Sequence, residues 1–219
     1  MKFVFVIIFC LYALCGCGKD YIHIIYDNLS DIREIMYEGS NDLCYASLIC
    51  GQREKDYILN GVSTTLVPFG IITCEGICGE DIDYILIVNG TNYEGVLQKN
   101  PFEDNYMADI GKIVDFDEVT LHININEKTI ELKLFRVDNE FKYKSSDVIK
   151  FVSNEYRDVI KQFIERGVFK GEVYLKILSD ENSGEKKFWY FNIISTNGKS
   201  FVVVISPYNL NVLSVQKTL

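Results

Sequence analysis

The sequence predicts an α+β protein, with an N-terminal β-sandwich-like unit followed by a helix packed on a four-stranded antiparallel meander. Short apolar segments separated by turn residues fill the first half, and the second half has one long amphipathic segment followed by four strand-like segments. Aromatic residues make up 13% of the chain and proline only 3 of its 219 residues, a balance that favours strands. We expect a signal peptide over residues 1–16, a β-rich acidic domain over 17–138 and an α+β domain over 139–219.

The first elements after the signal peptide are predicted as a strand and a short helix. Tyr21–Tyr26 alternates as a half-buried strand does. Ser30 is a favourable cap for a helix over Asp31–Tyr37, and the acidic residues in its first turn suit the positive end of the helix dipole. Gly39 and Ser40 then end this helix.

Seven short apolar segments follow, and turn residues separate them. They are Leu43–Cys50, Tyr57–Asn60, Thr64–Cys74, Tyr84–Asn89, Tyr93–Leu97, Val119–Ile125 and Ile130–Phe135. The pair Asn89-Gly90 is typical of a tight hairpin turn, and it fits a turn better than a glycosylation site. Short strands at such close spacing are typical of a β-sandwich.

The second unit begins with a predicted helix from Ser145 to Arg166, with Gly167 just past its end. Its apolar residues recur at intervals of three and four and so form one stripe: Val148, Val152, Tyr156, Val159, Ile160 and Phe163. Four strands are predicted after the helix, over Glu172–Leu178, Lys187–Ser195, Lys199–Ser206 and Val212–Lys217. Because a meander has one face to bury, the helix is expected to cover it.

Charge and motif content exclude several functions. The net charge is −9, and residues 19–115 alone carry 17 acidic and 6 basic side chains, so a phosphate backbone is repelled and nucleic-acid binding is not expected. Only 2 histidines are present, and the chain has no nucleophile elbow, zinc-protease motif or phosphate loop. We therefore expect a protein that is not an enzyme and that holds no cofactor and no resident metal ion.

The N-terminus is typical of an exported chain. The apolar run Phe3–Leu14 would span about 18 Å as a helix, whereas a bilayer core is roughly 30 Å thick, so it suits a signal peptide better than a membrane span. The sequence Leu-Cys-Gly-Cys that ends at Cys17 resembles a bacterial lipobox, which implies lipidation of the Cys17 thiol and cleavage before it. The alternatives for this segment are ordinary cleavage near Gly16 or Gly18 and an uncleaved anchor. A secreted glycoprotein is the alternative to a bacterial lipoprotein.

Four cysteines, Cys44, Cys50, Cys74 and Cys78, lie beyond the export segment. An even number in an exported domain permits two disulfides. Cys44 and Cys50 would stand about 20 Å apart in one extended strand, too far for a bond, so bridges would join their segment to that of Cys74 and Cys78. A four-thiolate zinc site and unpaired, partly buried thiols are the alternatives, although only the last two cysteines approach the spacing of a zinc knuckle.

Three further features are candidate sites. The carboxylates of Glu75, Glu80, Asp81 and Asp83 share a glycine-rich loop that could hold Ca²⁺, but their spacing does not match an EF-hand, so a solvated loop is favoured. His23 and His122 are expected to be structural or surface residues. Adjacent strands also carry aromatic side chains on both faces, and the face with Phe188 and Tyr190 is expected to pack on the first unit rather than stay exposed: the full set is Phe188, Trp189, Tyr190, Phe191 and Phe201.

Two family resemblances add to these observations. The strands around Trp189-Tyr190-Phe191, the turn Asn197-Gly198-Lys199, the strand end Val203-Val204-Ile205-Ser206-Pro207 and the segment Val212-Leu213-Ser214-Val215 resemble the end of PepSY and cystatin-like domains, which implies a regulator of an envelope hydrolase. The segments Asn28–Glu34 and Phe69–Thr73 are similar to small lipoproteins of clostridia-type Gram-positive bacteria. That resemblance implies a lipid anchor on the extracytoplasmic face of the cell membrane, often with unpaired cysteines. We expect a non-catalytic binding or structural module there, with an envelope protein as a partner.

Overall fold

The computed structural model describes residues 21–55, 64–79, 82–126, 128–179 and 187–218. Its helices and strands are α1 Tyr21–Asp27, β1 Leu29–Ser40, β2 Tyr45–Glu54, β3 Leu66–Glu75, β4 Ile82–Val88, β5 Thr91–Lys99, β6 Asn105–Asp109, β7 Glu118–Ile125, β8 Lys128–Arg136, α2 Ser145–Glu155, α3 Arg157–Ile160, β9 Ile164–Glu165, β10 Val168–Phe169, β11 Glu172–Ser179, β12 Lys187–Ile194, β13 Ser200–Ile205 and β14 Val212–Thr218. The signal peptide over 1–16, the lipidation site Cys17 and the predicted strand Tyr57–Asn60 lie outside the described residues.

Strands β1 to β8 form a closed barrel in the order β1-β2-β3-β6-β5-β4-β7-β8, and each neighbouring pair is antiparallel. The barrel closes where Tyr37 and Glu38 of β1 pair with Arg136 and Phe135 of β8. Eight strands leave an interior that side chains can fill. Buried apolar residues from every wall fill it here, among them Tyr37, Leu48, Ile72, Leu86, Leu121 and Leu134.

Strand β1 belongs to the barrel and also to a sheet that extends from it. The first half of β1, from Leu29 to Arg33, pairs in parallel with β11, and β12, β13 and β14 follow antiparallel. Helices α1, α2 and α3 contribute to a second apolar core with this sheet, whose buried members include Ile25, Val148, Ile160, Leu175, Trp189 and Phe201. Successive side chains of β1 point into different cores: Met36 lies in the second core and Tyr37 in the barrel core.

A buried carboxylate ties the two cores together. The side chain of Asp138 is 2% exposed and accepts hydrogen bonds from the backbone amide of Met36 at 3.0 Å and from Nε of Arg136. Lys144 donates to the carbonyl of Asp138, and the indole of Trp189 donates to the carbonyl of Tyr143 at 3.0 Å. The segment between β8 and α2 is thereby fixed against β1 and β12.

The predicted fold class is wrong. The chain is mostly β, with a closed eight-stranded antiparallel barrel and additional strands, where an α+β fold with a β-sandwich-like unit was predicted. Hydrophobic spacing locates strands but does not show whether the last strand returns to the first. The closing contact between Tyr37 and Arg136 joins residues 99 positions apart, and no local pattern indicates it.

Two predictions near the N-terminus are also wrong. Tyr21–Asp27 is a helix, because Ile22 and Ile25 reach the second core from one helical face. The predicted helix over Asp31–Tyr37 lies within strand β1. Its acidic start does not face a helix terminus, since the fully buried carboxylate of Asp31 instead forms ion pairs with Arg33 at 2.9 Å and Lys176 at 3.1 Å.

The observed elements of the second half agree more closely with the predicted ones. All four strands predicted after the helix are present as β11 to β14, within a residue or two at each end. The predicted continuous helix ends at Glu155, and a second short helix and a 3₁₀ turn follow. The apolar stripe continues across this break because both helices face the same core. Arg166 and Gly167, both with positive φ, form the turn between β9 and β10.

Candidate functional site: a cleft at the barrel seam

The barrel wall is only partly paired between β5 and β6. These strands pair at only two positions, Gln98 with Met107 and Lys99 with Tyr106, whereas β5 pairs with β4 along its first seven residues. A cleft of about 630 Å³ opens where the β5–β6 pairing stops, and both strands contribute to its wall. We refer to it as the seam cleft. Its polar lining includes Arg53, Tyr84, Glu94, Gln98, Lys99 and Asp109.

A buried tyrosine opens into the seam cleft. Tyr84 points into the barrel from β4, is 5% exposed and lies directly opposite Gly95 of β5. A Cβ at Gly95 would lie 2.8 Å from the Tyr84 hydroxyl oxygen, so only glycine leaves room for the ring there. In the described part of the chain this hydroxyl has no hydrogen-bond partner. The hydroxyl lines the open cleft, where a bound molecule can accept its hydrogen bond.

The surroundings keep the Tyr84 phenol protonated. Burial raises its pKa, and the nearby carboxylate of Asp109 raises it further. Tyr84 therefore offers a neutral O–H donor at neutral pH. A donor of this kind suits a hydroxyl, carbonyl or carboxylate oxygen of a bound molecule.

The charged groups on the wall are held by their neighbours. Arg53 forms an ion pair with Asp109, and the other oxygen of Asp109 accepts a hydrogen bond from the amide of Gly111 at 2.8 Å. The guanidinium of Arg53 lies 4.8 Å from the ring centre of Phe69, within cation–π distance. These contacts fix one positive and one negative group at the cleft before any ligand binds.

Two more charges stand on β5 beside the first pair. Lys99 lies 3.6 Å from Asp104, with both side chains largely exposed. Glu94 is exposed and has no ion-pair partner among the described side chains. The described residues that line the cleft thus offer charges of both signs and hydrogen-bonding groups to a small polar molecule.

The predicted thiol residues lie elsewhere in the barrel. Cys44, Cys50 and Cys74 are buried in its core, Cys78 is exposed, and all four are unpaired. Cys74 on β3 pairs with Ala46 on β2. Cys44 lies two residues before Ala46 and therefore faces the inside of the barrel, as Cys74 does. Burial raises the pKa of Cys50 to about 11 and that of Cys74 to about 12. Within the described ranges, no group of three or more metal-ligating side chains is placed to hold an ion.

The other residues singled out by sequence are dispersed. His122 lies on β7 and faces Glu131 at 3.3 Å on the barrel surface, and His23 lines a separate surface cleft. Glu80 and Asp81 of the acidic loop fall outside the described residues. Trp189, Phe191 and Phe201 are buried in the second core, while Phe188 and Tyr190 on the opposite face are half-buried: neither face of this sheet is a fully exposed aromatic patch.

The seam cleft was not predicted. Gly95 interrupts the strand pattern Tyr93–Leu97, and a glycine inside a strand often marks the close approach of another group. That signal was available, but the sequence does not show which residue approaches.

No helix in the described part of the chain is long and apolar enough to cross a membrane.

Comparison with known proteins returns no match of any kind: no family model, no curated protein and no solved structure matches this chain. The function is therefore inferred from the sequence and from the geometry of the seam cleft.

Proposed function

We propose that the chain is a membrane-anchored cell-surface lipoprotein and a non-catalytic binding module that holds a small polar molecule in the seam cleft. The observation that carries the binding role is Tyr84, a residue 5% exposed whose hydroxyl is unpartnered among the described residues and lines a cleft with charges of both signs. The observation that carries the location is the Leu-Cys-Gly-Cys sequence that ends at Cys17.

The ligand is expected to be small and to carry polar groups of more than one kind. A cleft of about 630 Å³ is within the range of small-molecule sites. Arg53 and Lys99 suit an acidic or carbonyl oxygen, Glu94 and Asp109 suit an amine or hydroxyl, and Tyr84 donates to an oxygen acceptor. Sugars and amino acids both meet this description.

Native mass spectrometry tests the binding role and weighs whatever small molecule the cleft retains. The full chain is extracted from the membranes of the cell that makes it, and the masses of small molecules that stay bound are recorded. Wild-type chain and a Tyr93→Phe control are expected to retain the same additional mass, because Tyr93 does not line the cleft. Tyr84→Phe is expected to lose most of it. Equal retention by both variants contradicts a ligand in the seam cleft.

Palmitate labelling tests the location. Two or more acyl chains hold a protein stably on a membrane, whereas one chain binds reversibly. Radioactive palmitate is expected to label wild-type chain and Cys15→Ala, but not Cys17→Ala, and globomycin is expected to block maturation. Labelling that survives Cys17→Ala contradicts the anchor at this position.

A regulator of an envelope hydrolase is the second candidate. It is supported by the resemblance to PepSY and cystatin-like domains and by strand β14, whose residues Val212–Thr218 are all exposed at the end of the sheet. Purified envelope proteases titrated with the full chain test it. A stoichiometric fall in rate supports inhibition, and unchanged rates across the proteases contradict it.

A further inference from the structure

The two walls of the seam cleft carry different charged groups. Glu94 stands on the β5 wall, and in the described part of the chain its carboxylate has no ion-pair partner. On the opposite wall, Asp109 of β6 pairs with Arg53. Arg53 donates to Asp109 through Nη2, so that among the described residues Nε and Nη1 keep their hydrogens for another acceptor. One wall therefore offers an unpaired carboxylate, and the other a guanidinium with spare donors.

The Tyr84 hydroxyl lies near both groups. Its oxygen is 2.8 Å from the position that a Cβ at Gly95 would take, and Glu94 is the residue before Gly95 on β5. Asp109, the partner of Arg53, is close enough for its charge to raise the pKa of Tyr84. A carboxylate, a neutral phenol and a guanidinium thus converge on one region of the cleft.

The charges on the described lining cancel. Two of the lining side chains are basic and two are acidic: Arg53 and Lys99, against Glu94 and Asp109. A ligand with a net charge would leave one sign unmatched, and a neutral sugar would cover charged groups without supplying a countercharge, which is unfavourable. A zwitterion supplies both countercharges and keeps the complex neutral.

Apolar side chains occupy much of the remaining lining. They include Ile71, Val96 and Met107. An uncharged side chain on the ligand can pack against them, whereas a charged one would lose water there without gaining a partner.

We propose that the seam cleft selects a free amino acid with an uncharged side chain. Glu94 binds its ammonium group, and Arg53 and the Tyr84 hydroxyl bind its carboxylate. This inference rests on the proposed binding role and narrows the ligand to one chemical class.

Isothermal titration calorimetry of the full chain in detergent at neutral pH tests the ligand class, with L-alanine and L-leucine as probes. Each probe has two analogues that lack one charge: propanoate and ethylamine for alanine, and 4-methylpentanoate and 3-methylbutylamine for leucine. Because a hydrogen bond to a charged group contributes about 1.5–3 kcal/mol, at least one amino acid is expected to bind more than about tenfold more tightly than either of its analogues.

Glu94→Gln keeps the shape of the side chain and removes its charge. It is expected to weaken binding of the amino acid by about tenfold without weakening binding of the matched carboxylic acid, which has no ammonium group for Glu94 to hold. Glu131→Gln is the matched control, because Glu131 is an exposed acid of β8 outside the cleft lining.

Three results overturn the proposal. They are an absence of binding by both amino acids, binding no tighter than that of the singly charged analogues, and a Glu94→Gln chain that binds as well as Glu131→Gln. If native mass spectrometry then finds a Tyr84-dependent bound mass that is not an amino acid, the binding module stands and only this ligand class fails. If no mass is retained either, both fail.

Discussion

The ring of Tyr84 occupies the space that a side chain at Gly95 would need. The two residues pair directly across β4 and β5, and a Cβ at Gly95 would stand 2.7 Å from a ring carbon of Tyr84. A single glycine thus lets a buried phenol reach the barrel wall, where pairing between β5 and β6 has stopped. The seam cleft depends on this relationship.

Gly95→Ala should displace Tyr84 or strain β5. Overpacking of this kind typically costs about 1–3 kcal/mol, so a urea midpoint lower than that of wild type is expected. Combining Gly95→Ala with Tyr84→Ala should cost less than the two changes separately, because the clash disappears. Strictly additive losses would show that the two residues do not compete for the same space.

Asp138→Ala should be among the most destabilising single changes in the chain. It leaves the Met36 amide without its acceptor and the half-buried Arg136 without its buried carboxylate. Breaking a buried charge pair costs about 3–5 kcal/mol. Chemical denaturation measures the loss, and Asp158→Ala is the control because Asp158 is exposed and, among the described residues, forms an ion pair only with exposed Lys161. Equal stability of the two variants would contradict a structural role for Asp138.

Stability should fall in alkaline solution. Burial raises the pKa of Cys50 from 9.0 to about 11 and that of Cys74 from 9.0 to about 12, so the unfolded chain releases these protons first as pH rises. Stability from these thiols is complete below pH 9 and is lost above it, by about 1 kcal/mol per pH unit for each thiol. Unfolding free energies measured from pH 8 to 11 should show a smaller slope in Cys50→Ala. A slope unaffected by Cys50→Ala would refute the assignment.

Alkylation of the native protein should distinguish the four cysteines. At pH 8 a thiol with a pKa of about 11 is ionised in roughly one molecule in a thousand, and it is also shielded by the barrel. Iodoacetamide followed by peptide mapping should modify Cys78 first, and Cys44, Cys50 and Cys74 only after denaturation. Rapid native modification of Cys74 would mean that the barrel interior opens readily.

Local chemistry predicted the turns and the strands beside them. Asn89-Gly90 joins β4 to β5 as a two-residue turn with φ of 47° and 77°, and Asn197-Gly198 lies in the turn from β12 to β13. Asparagine and glycine both tolerate the positive φ that tight hairpin turns require, so the two residues alone favour the turn. Turns and strand positions are predictable from sequence where adjacent residues determine the backbone conformation.

Features that depend on distant residues were not accessible in the same way. The acidic residues at the start of β1 predict a helix terminus when only their neighbours in sequence are considered. The ion-pair partner of Asp31 is Lys176, 145 residues away, and no local pattern indicates it. Closure of the barrel depends on pairing between β1 and β8, and the seam cleft depends on where the pairing of β5 with β6 ends. Periodicity indicates which face of a strand is buried, but not which strand lies beside it.

The intact mass of the chain purified from membranes tests the central claim, a binding module tethered at Cys17, most directly. The account predicts a polypeptide of 203 residues that begins at Cys17, 16 fewer than the full 219, with a diacylglyceryl group on that first residue. A chain that retains residues 1–16, or one that begins at an unmodified Cys17, would contradict it.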